Sequence, residues 1–185
     1  MDRNEYGLAS WDQPVIELKT VMSSVNTLLI FHPYNNEPPS ANYATLDTRN
    51  AHPVLDFDAG TDESAVFTAI MPRAYAGGGV TVYLHLTDTA DTTTAHKSYW
   101  DVSFERMTEQ DIDSDSFAAA QSGNVSPNGT SGIPVVLTIA FTDGAQIDSV
   151  AAGELFRLKV TRDANNGSDD WDGDAELLAV EIKET

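Results

Sequence analysis

The sequence predicts an all-β protein, an antiparallel β-sandwich or jelly roll of about eight strands with an N-terminal arm. Three observations predict it. Short segments alternate apolar and polar residues, helical periodicity is scarce, and clusters of Gly, Pro, Asn, Asp and Thr punctuate the chain. The 185 residues, 41% of them hydrophobic, suit one folded domain.

Residues 1–26 read as an arm or an extra edge strand, with one strand-like run, PVIELKTV. The sandwich domain spans 27–185. Strands are predicted at Thr27–His32, His52–Phe57, Ser64–Ile70 and Pro134–Phe141. In GVTVYLHLT, Val80, Val82, Leu84 and Leu86 alternate inward. In SYWDVSFERM, Trp100, Val102 and Phe104 face the core, with Asp101, Ser103 and Glu105 outside. LFRLKVTRD places Phe156, Leu158 and Val160 inside, and ELLAVEIKE places Leu178, Val180 and Ile182 inside. Between strands, AGGG (Ala76–Gly79) is a turn needing positive φ. Phe117–Gln121 follows Asp and Ser residues suited to a helix cap, which predicts a short helix. Ser122–Gly132 reads as a long loop, and Asp163–Asp174 as an acidic loop joining the last two strands as a hairpin.

The formal net charge is −19, from 29 acidic and 10 basic residues. That argues against nucleic-acid binding, which needs a positive footprint. The absence of cysteine excludes disulfides, thiolate zinc sites and cysteine nucleophiles. The opening MDRNEYGLASWDQP has neither the basic nor the apolar region of a signal peptide, and no apolar run is long enough to cross a bilayer.

The densest polar stretch is ATLDTRNAHPVLDFDAGTDE. A histidine among carboxylates fits a metal site, an acid/base pair or a structural turn. Pro53 holds His52 extended, and strand alternation puts Asp56 and Asp58 on one face with Leu55 and Phe57 on the other. Asp47, Thr48 and Asn50 are turn formers, and Arg49 has Asp47 and Asp56 within reach as partners. The reading is a structural polar corner of Asp47, Arg49, Asn50, His52 and Asp56, with its turn at Asp47–Asn50. No catalytic residue, cofactor or metal is expected. The acidic loop offers oxygen ligands, but its Gly167 and its lack of a glutamate at the twelfth position do not match an EF-hand. A solvated loop is the reading, with calcium as the alternative. Tyr34, Tyr43, Tyr75, Tyr83 and Tyr99 lie near loops or on outward faces. They suit partner contacts or sugar stacking.

The motifs NEPPSANYATLDTRNAHPVLDFD, DESAVFTAIMPRAYAGGGVTVYLHL, SYWDVSFERM, DSDSFAAAQS and LFRLKVTRDANNGSDDWDGDAELLAVEIKET carry a further expectation. In this order, from about Leu28 to Thr185, the chain resembles a family of tailed-phage and prophage virion structural proteins. The resemblance implies a non-enzymatic jelly-roll subunit, made in the host cytoplasm and placed on the capsid exterior or elsewhere in the virion. It would be a decoration (cement) protein that assembles as a homotrimer and stabilises the major capsid protein shell. It implies no nucleic-acid or membrane partner. The arm residues Tyr6, Trp11, Val15 and Ile16 are the expected shell contacts. The alternative is a glycan- or receptor-binding module of a phage head or tail fibre.

Overall fold

The structure, a computed structural model, describes residues 27–90, 92–108 and 111–185. The arm contacts expected at Tyr6, Trp11, Val15 and Ile16 lie outside the described residues. Ten strands follow in order: β1 (Thr27–Phe31), β2 (Thr45–Arg49), β3 (His52–Phe57), β4 (Glu63–Ile70), β5 (Val80–Asp88), β6 (Ser98–Arg106), β7 (Gln121–Val125), β8 (Val135–Phe141), β9 (Leu155–Arg162) and β10 (Ala175–Glu184). They form two antiparallel sheets. One has the order β2-β3-β10-β5-β8, with β1 also paired to β10, and the other is β4-β9-β6-β7. From β3 onward each connection crosses between sheets, except the one from β6 to β7. That strand order is a jelly roll.

The alternation places the core correctly. Val80, Val82, Leu84 and Leu86 from one sheet meet Trp100, Val102, Phe104, Phe156, Leu158 and Val160 from the other, all out of water. Burial of each such large side chain contributes about 1.5–3 kcal/mol. Phe57 meets Trp100 edge to face at 4.9 Å, and Phe104 meets Phe141 at 5.0 Å.

Several expectations are corrected. Among the described residues there are ten strands rather than eight, because two strands lack an apolar stripe. Asp47–Asn50 is not a turn, since Thr45–Arg49 is the edge strand β2, almost wholly exposed. Ser122–Gly132 is not all loop, since β7 runs through Gln121–Val125. A Cβ on Gly123 would sit 3.1 Å from Leu137 and 3.2 Å from Ile139, so glycine lets β7 approach β8. Phe117–Gln121 forms no helix. Ala118 instead donates its N–H to the Phe104 carbonyl at 2.8 Å, and the Phe117 ring lies against Arg157 and Lys159. The 163–174 loop is no hairpin, because β9 and β10 belong to opposite sheets. Glu105 and Ser103 are buried rather than exposed, and Glu105 is held by Arg157 at 2.9 Å. Tyr75 is also buried, donating its hydroxyl to the Gly78 carbonyl.

One correction shapes the site. The register of β10 against β5 shifts between Leu177 and Ala179. This bulge sends Leu177 into the core and turns Leu178 to the outer face of the sheet. Bulges re-aim side chains in this way.

Candidate functional groove

The polar stretch becomes a hairpin. Asn50 and Ala51, with φ of 48° and 64°, make its tip, the positive-φ pair that tight hairpins require. Asp47 accepts the Thr48 N–H at 2.7 Å. Arg49 does not pair with Asp47 or Asp56. Its guanidinium reaches Glu176 on β10 at 2.6 Å, the Asp88 carbonyl at 2.5 Å and Ser131 Oγ at 3.0 Å. Arg49 thus clasps the hairpin to β10, the end of β5 and the segment before β8. Gly132 leaves room for this clasp, because a Cβ there would meet the guanidinium at 2.9 Å.

Asp56 faces Glu176 across the sheet, and Glu176 in turn faces Thr87. Burial pushes the Asp56 carboxyl up to about 6, and the charges of Glu176, Asp47 and Asp174 add to the effect while Arg49 opposes it. Asp56 Oδ1 is buried with no hydrogen-bond partner. His52 is exposed at the start of β3. The five corner residues therefore occupy one hairpin, but the ion pair that fixes it involves Glu176.

Beside this hairpin a groove of about 960 Å³ opens on the outer face of the six-stranded sheet. Tyr34 and Asn35, in a 3-10 turn at Pro33–Asn35, border it. The hairpin tip and Ser131–Pro134 complete the border, and Val54, Thr87 and the bulged Leu178 line it from the sheet. The Tyr34 side chain is 69% exposed. The groove's volume lies at the upper end of the roughly 300–1,000 Å³ of small-molecule sites. Sequence reasoning noted Tyr34 but missed Thr87, Ser131 and Leu178.

The acidic loop is arranged around a cation of the protein itself. Asp169 holds Arg162, Asp170 accepts the Lys97 N–H at 2.6 Å, and Asp174 accepts the Ala59 N–H at 3.1 Å. Its carboxylates thus point to separate partners. Among the described residues, no group of three or more His, Asp or Glu is placed to hold a metal ion.

No protein-family profile and no curated protein matches the chain. Solved structures do. A family 35 carbohydrate-binding module from Clostridium thermocellum matches with a TM-score of 0.51 at 10% identity, over 85% of this chain and 99% of the module. A family GH115 4-O-methyl-α-glucuronidase with specificity for decorated arabinogalactans matches with a TM-score of 0.51 at 10% identity. That match covers 87% of this chain, which spans only 18% of the enzyme. At such identity the likeness establishes the β-sandwich fold.

Proposed function

We propose that the chain is a non-catalytic glycan-binding module whose ligand lies in the Tyr34 groove. One observation carries this reading: an open groove on the sheet face joins an exposed aromatic ring to uncharged hydrogen-bonding side chains. A sugar ring offers apolar C–H faces and a rim of hydroxyls, which match the Tyr34 ring and the Asn35, Asn50 and Ser131 side chains. The fold likeness to a carbohydrate-binding module supports it. A glycan array with the purified chain, followed by calorimetric titration of the hits, tests it. Saturable binding that Tyr34→Ala weakens is the expected result, and an array without hits overturns the proposal.

A second reading keeps the chain as a virion decoration subunit that trimerises on a capsid. It is supported by the outer edge of β2, which pairs with no other strand among the described residues, with Leu46 50% and Tyr43 48% exposed beside it. Sedimentation of the purified chain and electron microscopy of capsids mixed with it test that reading. A monomer that leaves capsids bare overturns it.

A further inference from the structure

We propose that the groove selects uncharged oligosaccharides and that Thr87 is the residue that reads a ligand hydroxyl from the sheet side. The inference rests on the glycan-binding reading of this groove and names the class of ligand and a specificity residue.

Two independent observations carry it. The first is an orphan hydroxyl. Thr87 lines the groove, is 3% exposed, and its Oγ1 has no hydrogen-bond partner among the described residues. Leaving a buried hydroxyl unpaired is costly, so such groups are rare and call for a reason. Ser131 Oγ binds Arg49 and the carbonyls of Asp88 and Thr89, and Asn35 Oδ1 accepts the His32 N–H. The Asn50 side chain and the Asn35 amide reach the groove from exposed positions, whereas Thr87 is its buried hydroxyl without a partner among the described residues. Rotation about χ1 to another staggered well carries the hydroxyl to a position now held by the methyl or the hydrogen, which lets it turn to an incoming partner.

The second is charge. The chain carries 29 Asp and Glu in 185 residues, yet none lines the groove among the described residues. The groove's Arg49 is neutralised by Glu176 at 2.6 Å. The wall therefore holds no carboxylate, one cation that is paired, and the imidazoles of His32 and His52. Behind it, Glu176 is the cross-strand neighbour of Thr87 and only 4% exposed. Glu176 is engaged by Arg49, so what a ligand carboxylate meets is the field of a protein of net charge −19. A neutral polyol does not meet it.

Thr87→Val tests the first part, because it deletes the hydroxyl and keeps the shape. Melting temperature and calorimetric affinity are read for wild type and variant, using neutral gluco-, galacto- and xylo-oligosaccharides and the same backbones bearing a uronic acid. An unpartnered hydroxyl predicts an equal or higher melting temperature for the valine variant, together with at least a fivefold loss of affinity. The uronic acid forms should bind wild type at least tenfold more weakly than their neutral parents. A valine variant that melts several degrees lower has lost an internal hydrogen bond, which overturns the role of Thr87. Unchanged affinity in that variant also overturns it, and leaves the glycan-binding reading standing. Tighter binding of the acidic sugars overturns the neutral class. A wild-type chain that binds no member of either set overturns this inference and the reading beneath it together.

Discussion

Arg162 and Asp169 form a two-point ion pair, Nε to Oδ2 at 3.1 Å and Nη2 to Oδ1 at 2.9 Å, with both side chains out of water. The guanidinium also donates to the carbonyls of Phe57, Gly173 and Trp171 at 3.2, 2.9 and 3.0 Å. All five of its N–H groups are used, so the cation is fully compensated. It ties the end of β9 to the end of β3 and to the acidic loop, and so joins the two sheets. Arg162→Met should cost about 3–5 kcal/mol, because it leaves the buried Asp169 charge with the Tyr99 N–H but without its cation, and three carbonyls without their donor. Urea unfolding followed by tryptophan fluorescence measures the loss. A loss under about 1 kcal/mol would mean the pair is not what closes this end of the sandwich.

The same pair bears on calcium. A guanidinium, rather than a metal ion, gathers the backbone of the 163–174 loop. Adding millimolar calcium or a chelator should therefore leave the melting temperature of the chain unchanged. A calcium-dependent rise would show a ligand set that these contacts do not provide, since a bound ion stabilises the folded state by mass action.

The core was legible in the sequence, and the groove was not. Val80 to Leu86 and Trp100 to Phe104 alternate without interruption, so their burial follows from a period of two. Leu178 shows where that rule stops. A run of Leu-Leu-Ala-Val fits either face, and only pairing with β5 places the bulge that turns Leu178 outward. β2 and β7 escaped because an edge strand and a glycine-bearing strand carry no apolar stripe. Glu105 escaped because its partner, Arg157, lies 52 residues away on the neighbouring strand. The groove draws on the turn after β1, the β2–β3 hairpin, β5, the approach to β8 and β10. No local pattern unites segments that only the sheet order brings together. The polar corner was recognisable as a cluster, but the true partner of Arg49 comes from the last strand.

Asp56 gives the sandwich a pH dependence of definite sign. Its folded value of about 6 lies above the ordinary 3.8. The folded state thus holds this proton more tightly, and the stability it confers is full below the ordinary value and lost as pH rises through about 6. Asp56→Asn carries no charge at any pH. The variant should be more stable than wild type at pH 7.5 and converge with it at pH 4. An interval of roughly two pH units corresponds to about 2.7 kcal/mol, and partial contact with water reduces this to about 1 kcal/mol. Thermal unfolding of both proteins across this range measures the difference. An asparagine variant less stable at pH 7.5 would show that the Asp56 carboxylate is stabilising when ionised.

Tyr34 separates a binding surface from a structural one. Its side chain is 69% exposed, while the neighbouring Pro33 and Phe31 are buried and hold the turn in place, Phe31 stacking on Phe67 at 5.1 Å. The turn is also fixed without the tyrosine ring, by the Asn35 carboxamide on the His32 N–H at 2.9 Å. Tyr34→Ala should therefore change stability by no more than about 0.5 kcal/mol, as exposed positions do. If the groove binds sugar, the same variant should lose more than about 1 kcal/mol of binding, as truncation of an aromatic anchor does at an interface. Calorimetric titration beside a melting curve reads both quantities on one preparation. A large drop in stability with little change in affinity would assign the ring to the fold and move the ligand away from this end of the groove.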